Sequence, residues 1–164
     1  MCQTMNSTVT STVTSTLRLI SLATITTVAV AADAPYDEKA DARADIRSAL
    51  AAAQTTKTPV LVVFGANWCG DCKMLDAAFK TGASAPLMAQ HFRIVKVDVG
   101  RFNKNVDVAD GYGVPLKSGI PAVAVLSPDG RVLYATKGGE LADARQMGDA
   151  GVHSFFTQIV SKNR

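Results

Sequence analysis

The chain has 164 residues, of which 48% are hydrophobic and 19% charged, enough apolar side chain for one core and too little charge for a disordered, acidic or polybasic chain. Seventeen Lys and Arg against fourteen Asp and Glu give a formal charge of +3, and the basic residues are scattered rather than run together, which gives nucleic-acid binding no support. Three cysteines exclude a disulfide-dense scaffold and a zinc site of four thiolates.

Residues 1–32 differ in composition from the rest. They hold no Asp or Glu, Arg18 is their one basic residue, and Ser or Thr fills thirteen of the first 27 positions. The uncharged stretch from Leu19 to Ala32 would span about 21 Å as a helix, short of the roughly 30 Å of a bilayer's hydrocarbon. A short apolar core behind a basic residue, ending Ala29-Val30-Ala31, is the pattern of a secretory signal peptide with its cleavage site. The expectation is a cleaved segment at 1–31 and one domain at 32–164, exported, with a bacterial periplasm as its compartment and no stable membrane insertion. Cleavage removes Cys2 and leaves Cys69 and Cys72.

In the remaining chain Asp37 to Ala53 suits an amphipathic helix, with Ala40, Ala44, Ile46, Leu50 and Ala53 as its apolar stripe. Val60 to Phe64 is a continuous apolar, β-branched run, as expected of a central strand covered on both faces. A turn at Gly65 to Cys69 leads into a helix at Cys72 to Lys80, and Ala85 to His91 forms a further helical turn. Phe92 to Val99 reads as a second strand, parallel to the first across the helical crossover. A short helix at Val106 to Tyr112 follows, then a hairpin of Ala122 to Leu126 and Arg131 to Thr136 around Ser127-Pro128-Asp129-Gly130. Two helical segments, Leu141 to Met147 and Val152 to Ser161, complete the pattern. The fold class is α/β, a small mixed sheet with helices on both faces.

Cys69-Gly70-Asp71-Cys72 falls where a strand hands over to a helix N-terminus. A disulfide closing so small a ring removes little unfolded-state entropy, so it is a poor staple and a good switch. The helix N-terminus stabilises a thiolate at Cys69, and Cys72 on the first turn can attack a mixed disulfide formed there. A zinc site would need two more ligands, and only His91 and His153 are available, far apart in sequence. Haem attachment needs His after the second cysteine, where Lys73 stands. Both histidines read as surface or capping residues, and Met74 and Met88 as core fillers.

The segment Phe64-Gly65-Ala66-Asn67-Trp68-Cys69-Gly70-Asp71-Cys72-Lys73 resembles the active-site segment of the thioredoxin family. Lys96 in the next strand, Tyr112-Gly113-Val114, the Gly119-Ile120-Pro121 loop and Gly139 match further family positions. The resemblance implies a thioredoxin-like fold and a protein dithiol-disulfide oxidoreductase whose only redox group is the Cys69–Cys72 disulfide, with no cofactor or metal. It implies Cys69 as nucleophile, Cys72 as resolving thiol, Trp68 shaping the site, and a cis peptide before Pro121 with Ile120 and Pro121 as the substrate-docking edge.

Three departures qualify the likeness. Many thioredoxins carry a buried Asp beneath the cysteine pair where this chain has Val63; Asp76, one helical turn beyond Cys72, is the candidate replacement, with a solvated helix-face Asp as the alternative. Gly70-Asp71 replaces Gly-Pro, and Asp71 is expected to oppose a thiolate at Cys69 more than Lys73 favours it. The 114–118 link is longer than usual, as a substrate contact or a tolerated insertion. The function expected is a monomeric, exported reductase of protein disulfides, recharged by a membrane thiol-disulfide electron donor. The alternatives are a thioredoxin-fold binding or chaperone module with an inactive pair, and a thiol oxidase.

Overall fold

The computed structural model describes residues 34–163, and the expected signal segment at 1–31 lies outside them. Five helices, α1 (Ala42–Thr56), α2 (Gly70–Thr81), α3 (Ser84–His91), α4 (Val106–Gly111) and α5 (Ala144–Lys162), surround four strands, β1 (Val60–Gly65), β2 (Arg93–Asp98), β3 (Ala122–Leu126) and β4 (Val132–Ala135). The sheet order is β2-β1-β3-β4. β1 runs parallel to β2, with Val62 opposite Val95, and antiparallel to β3, with Val62 opposite Ala124. β4 closes the hairpin on β3.

The unbroken apolar run of β1 has its reason here, because every residue of the strand is buried. Val60, Val62 and Phe64 face one core with Ile46 and Ala53 of α1 and Val108 of α4. Leu61 and Val63 face a second core with Leu75 and Phe79 of α2, Met88 of α3 and Phe156 of α5. Alternation on a pleated strand thus serves two apolar layers rather than one apolar and one wet face.

The start of α1 is set by its cap. The pattern predicts α1 from Asp37, but Asp37 turns back on itself, its carboxylate accepting from the Lys39 N–H at 2.8 Å. Asp41 takes the cap instead, accepting from Arg43 N and Ala44 N, so Ala42, Ile46, Ala49 and Ala53 form the buried stripe in place of one running through Ala40 and Ala44. The segment 34–40 is thereby freed to lie across the end of β1. Within α5 Gly148 has φ +63° and ψ −179°, outside the helical region, so this element is two helical segments meeting at a glycine kink, in keeping with the two segments read from the sequence.

Candidate active site

β1 ends at Gly65, and the chain turns through Ala66, Asn67 and Trp68 to Cys69, the N-cap of α2. The turn closes with Cys69 N–H donating to Ala66 O at 3.1 Å. Cys69 and Cys72 are disulfide-bonded, their Cα atoms 5.2 Å apart. The Cys72 N–H donates to Cys69 Sγ at 3.1 Å, so the sulfur occupies the place a Ser or Asp oxygen takes at an ordinary N-cap. When reduced, that position offers the Cys69 anion a helix amide and the positive end of the helix dipole. The opposite wall is the Ile120-Pro121 loop, whose peptide bond is cis, with Ile120 O 3.6 Å from Cys69 Sγ.

Cys69 is only 5% exposed, against 0% for Cys72, and the Ile120 carbonyl covers one side of its sulfur. The difference between the cysteines is one of access at the rim, not of an open against a closed thiol. Trp68 is the exposed member of the motif, at 50%. Its indole N–H donates to Gly100 O at 2.7 Å, its ring meets Phe102 edge-on at 5.9 Å, and the Arg101 guanidinium lies 5.8 Å from its centroid. Trp68 therefore braces the 100–102 loop beside the cysteines. Phe102, Val106, Leu116, Lys117 and Gly119 line a recess of about 440 Å³ next to it, so Lys117 and the buried Leu116 of the long 114–118 link help to build this wall.

The two acidic residues of α2 differ in setting. Asp71, read from the sequence as opposing a thiolate at Cys69 more than Lys73 favours it, accepts from the Arg145 backbone N–H at 2.9 Å and pairs with the Arg145 guanidinium at 3.1 Å. Burial raises its carboxyl value, and the Arg145 bonds and charge outweigh that and hold it below the usual 3.8. The same guanidinium lies over Gly70, where an added Cβ would meet it at 3.2 Å. Asp76 is 4% exposed, which removes the solvated reading. It pairs with Lys96 of β2 and with Lys80 at 2.8 Å, and its i, i+4 relation to Cys72 puts the buried carboxylate and the buried sulfur on one helix face. Lys96 thus reaches the site through Asp76. Lys73 is exposed on α2.

Sequence reasoning missed three residues. Arg145 arrives from α5, 74 positions beyond Asp71, with no local signal. Asn67 joins the active-site turn to the lead-in of α1, its Oδ1 accepting from Tyr36 N–H at 3.0 Å and its Nδ2 donating to Tyr36 O at 2.9 Å. Tyr36 is 3% exposed; a single aromatic in a polar stretch before a helix was the available clue. Among the described residues no group of three or more His, Cys, Asp or Glu is placed to hold a metal ion.

Residues 41–128 match the Thioredoxin-like family, and the chain belongs to that family. It is 35% identical over 94 residues to the thioredoxin of Bacillus subtilis, covering 57% of this chain and 82% of that one. Among solved structures it is similar to the disulphide isomerase of Xylella fastidiosa Temecula1, with 50% identity, a TM-score of 0.76, and coverage of 79% of this chain and 99% of that one. A thioredoxin from Thermus thermophilus shares the fold at a TM-score of 0.52 and 22% identity, over 71% of this chain and 84% of that one. With its Cys69–Cys72 pair the protein is a dithiol-disulfide oxidoreductase.

Proposed function

We propose that the protein is an exported, monomeric reductase of protein disulfides. The observation that carries the exchange chemistry is Asp76, a buried carboxylate one helical turn from Cys72 and on its face of α2. In the reduced protein the Cys69 thiolate attacks one sulfur of a substrate disulfide. The substrate S–S bond breaks, a mixed disulfide forms at Cys69, and the first substrate thiolate leaves and takes a proton from water. Cys72 then gives up its proton, with Asp76 as the acceptor directly or through water, and attacks Cys69 Sγ. The second substrate thiolate leaves and is protonated, two electrons have passed to the substrate, and the Cys69–Cys72 disulfide remains. A base placed for Cys72 speeds this resolving step and, by microscopic reversibility, its reverse, so the direction follows from the reduction potential of the pair.

The Ile120-Pro121 edge and the Trp68–Phe102 wall are the substrate-docking surfaces of this reading, and a membrane thiol-disulfide donor restores the dithiol. Isomerisation is the second reading, favoured by the name of the Xylella protein. It shares the first attack but lets a substrate thiol, not Cys72, release the enzyme. Insulin reduction by dithiothreitol tests the proposal. Wild type should accelerate it, Cys69→Ser should abolish the acceleration, and Cys72→Ser should trap a mixed disulfide. Cysteine-independent behaviour would leave a binding module. Refolding of scrambled ribonuclease by Cys72→Ser as fast as by wild type would favour the isomerase.

A further inference from the structure

Tyr36 lies outside the motif, yet its ring is inserted at the centre of the site. A Cβ built on Gly65 would lie 2.2 Å from the Tyr36 hydroxyl oxygen and 2.9 Å from Cys72 Sγ, so the phenol oxygen and the inner sulfur converge on one point above the Gly65 Cα. Gly65 is therefore the residue that opens room for the hydroxyl beside the sulfur. The placement is fixed at the backbone, because the Asn67 amide holds the Tyr36 N–H and C=O through two hydrogen bonds and Asn67 itself lies in the turn between Gly65 and Cys69. A phenol pinned in this way need not reorganise when the disulfide opens.

Resting on the exchange chemistry proposed above, we propose that Tyr36 is a positioning residue for the resolving thiol: in the reduced protein its hydroxyl donates a hydrogen bond to Cys72 Sγ and stabilises the thiolate that attacks Cys69. The phenol is suited to donate and not to ionise, since burial first, then the charges of Asp76 and Asp98, push its titration well above the ordinary 10.0. The charged groups around this site are Asp76 and its partners Lys80 and Lys96, and Asp98 with its partner Lys104 at 3.1 Å. While Asp76 is ionised it can accept a proton or hydrogen bond but has none to donate to the sulfur. Tyr36 supplies the missing donor, at a place the Asn67 clamp holds independently of the hydroxyl.

The two steps can be separated with the aromatic disulfide dithiobis(nitrobenzoate). The reduced protein releases a first thionitrobenzoate when Cys69 attacks and a second when Cys72 displaces the mixed disulfide. In Tyr36→Phe the backbone clamp survives. The first release should be unchanged, while the second should slow about tenfold at neutral pH, as expected for the loss of a hydrogen bond to an anion, and its pH midpoint should rise. Incorporation of 3-fluorotyrosine at position 36, a stronger donor of nearly the same shape, should move that midpoint down. Opposite shifts from these two variants are not produced by packing alone. An unchanged second-step profile in both would overturn the role of Tyr36, whereas loss of the first release in wild type would instead overturn the exchange reading.

Discussion

Asp71 and Asp76 occupy the same short helix, and their neighbours give them different effects. Arg145 offsets the charge of Asp71, so Asp71 cannot be the main determinant of the Cys69 thiolate, whereas Asp76 is buried with lysine partners on the Cys72 side. Asp76→Asn should slow insulin reduction about tenfold or more while leaving the first attack by Cys69 nearly unchanged, as loss of a general base requires; equal slowing of both steps in stopped-flow would rule this out. The access difference between the cysteines leads to a second expectation. Limiting iodoacetamide should label Cys69 of the reduced protein before Cys72, and peptide mapping that finds Cys72 first would reverse the assigned roles. The cysteines, Asp76, Lys96 and the Ile120-Pro121 loop were legible in the sequence because each sits in a motif or at helical spacing. Tyr36 and Arg145 were not, since each reaches the site by a contact between distant segments that no local pattern encodes.

At the level of elements, one feature ties α5 to the mouth of α2. Asp71 receives both the backbone N–H and the guanidinium of Arg145 at the start of α5, and Asp71 also sits in the first turn of α2, where a negative charge suits the helix dipole. Because the folded carboxyl value lies below the ordinary 3.8, the pairing stabilises the fold fully above that pH and is lost as pH falls through the lower folded value. Asp71→Asn should flatten this part of the acid-unfolding curve. It should cost no more than ~1 kcal/mol at neutral pH, since the guanidinium is largely exposed; unaltered acid unfolding would show that the contact does not hold in solution. The strands and the parallel crossover could be read from the sequence, because a run such as Val60 to Phe64 has one stable use. The start of α1 was misplaced because Asp37 and Asp41 both offer a capping carboxylate, and only the packing of Tyr36 against the end of β1 decides between them. The kink at Gly148 was legible only as a gap between two helical patterns.

For the whole molecule, the two-sided sheet makes the site depend on both cores. Leu61 and Phe156 are fully buried in the α2–α5 layer, and Phe156→Ala should cost about 3–5 kcal/mol in denaturant unfolding; a loss below 1 kcal/mol would contradict the packing described. Export carries its own expectation, that the form recovered from the periplasm begins near Ala32, and N-terminal sequencing that finds Met1 would refute it. The central claim is that the dithiol is the donor of electrons. A family member is strongly oxidising when its reduced thiolate is heavily stabilised. Here the helix N-terminus favours the Cys69 anion, while the nearby Arg145 cation is offset by Asp71 and the Lys96 cation by the buried Asp76. The equilibrium reduction potential of the Cys69–Cys72 pair against glutathione is the most direct measurement. The account predicts a value more negative than about −200 mV, on the thioredoxin side of the family range, and a value near −120 mV would contradict it.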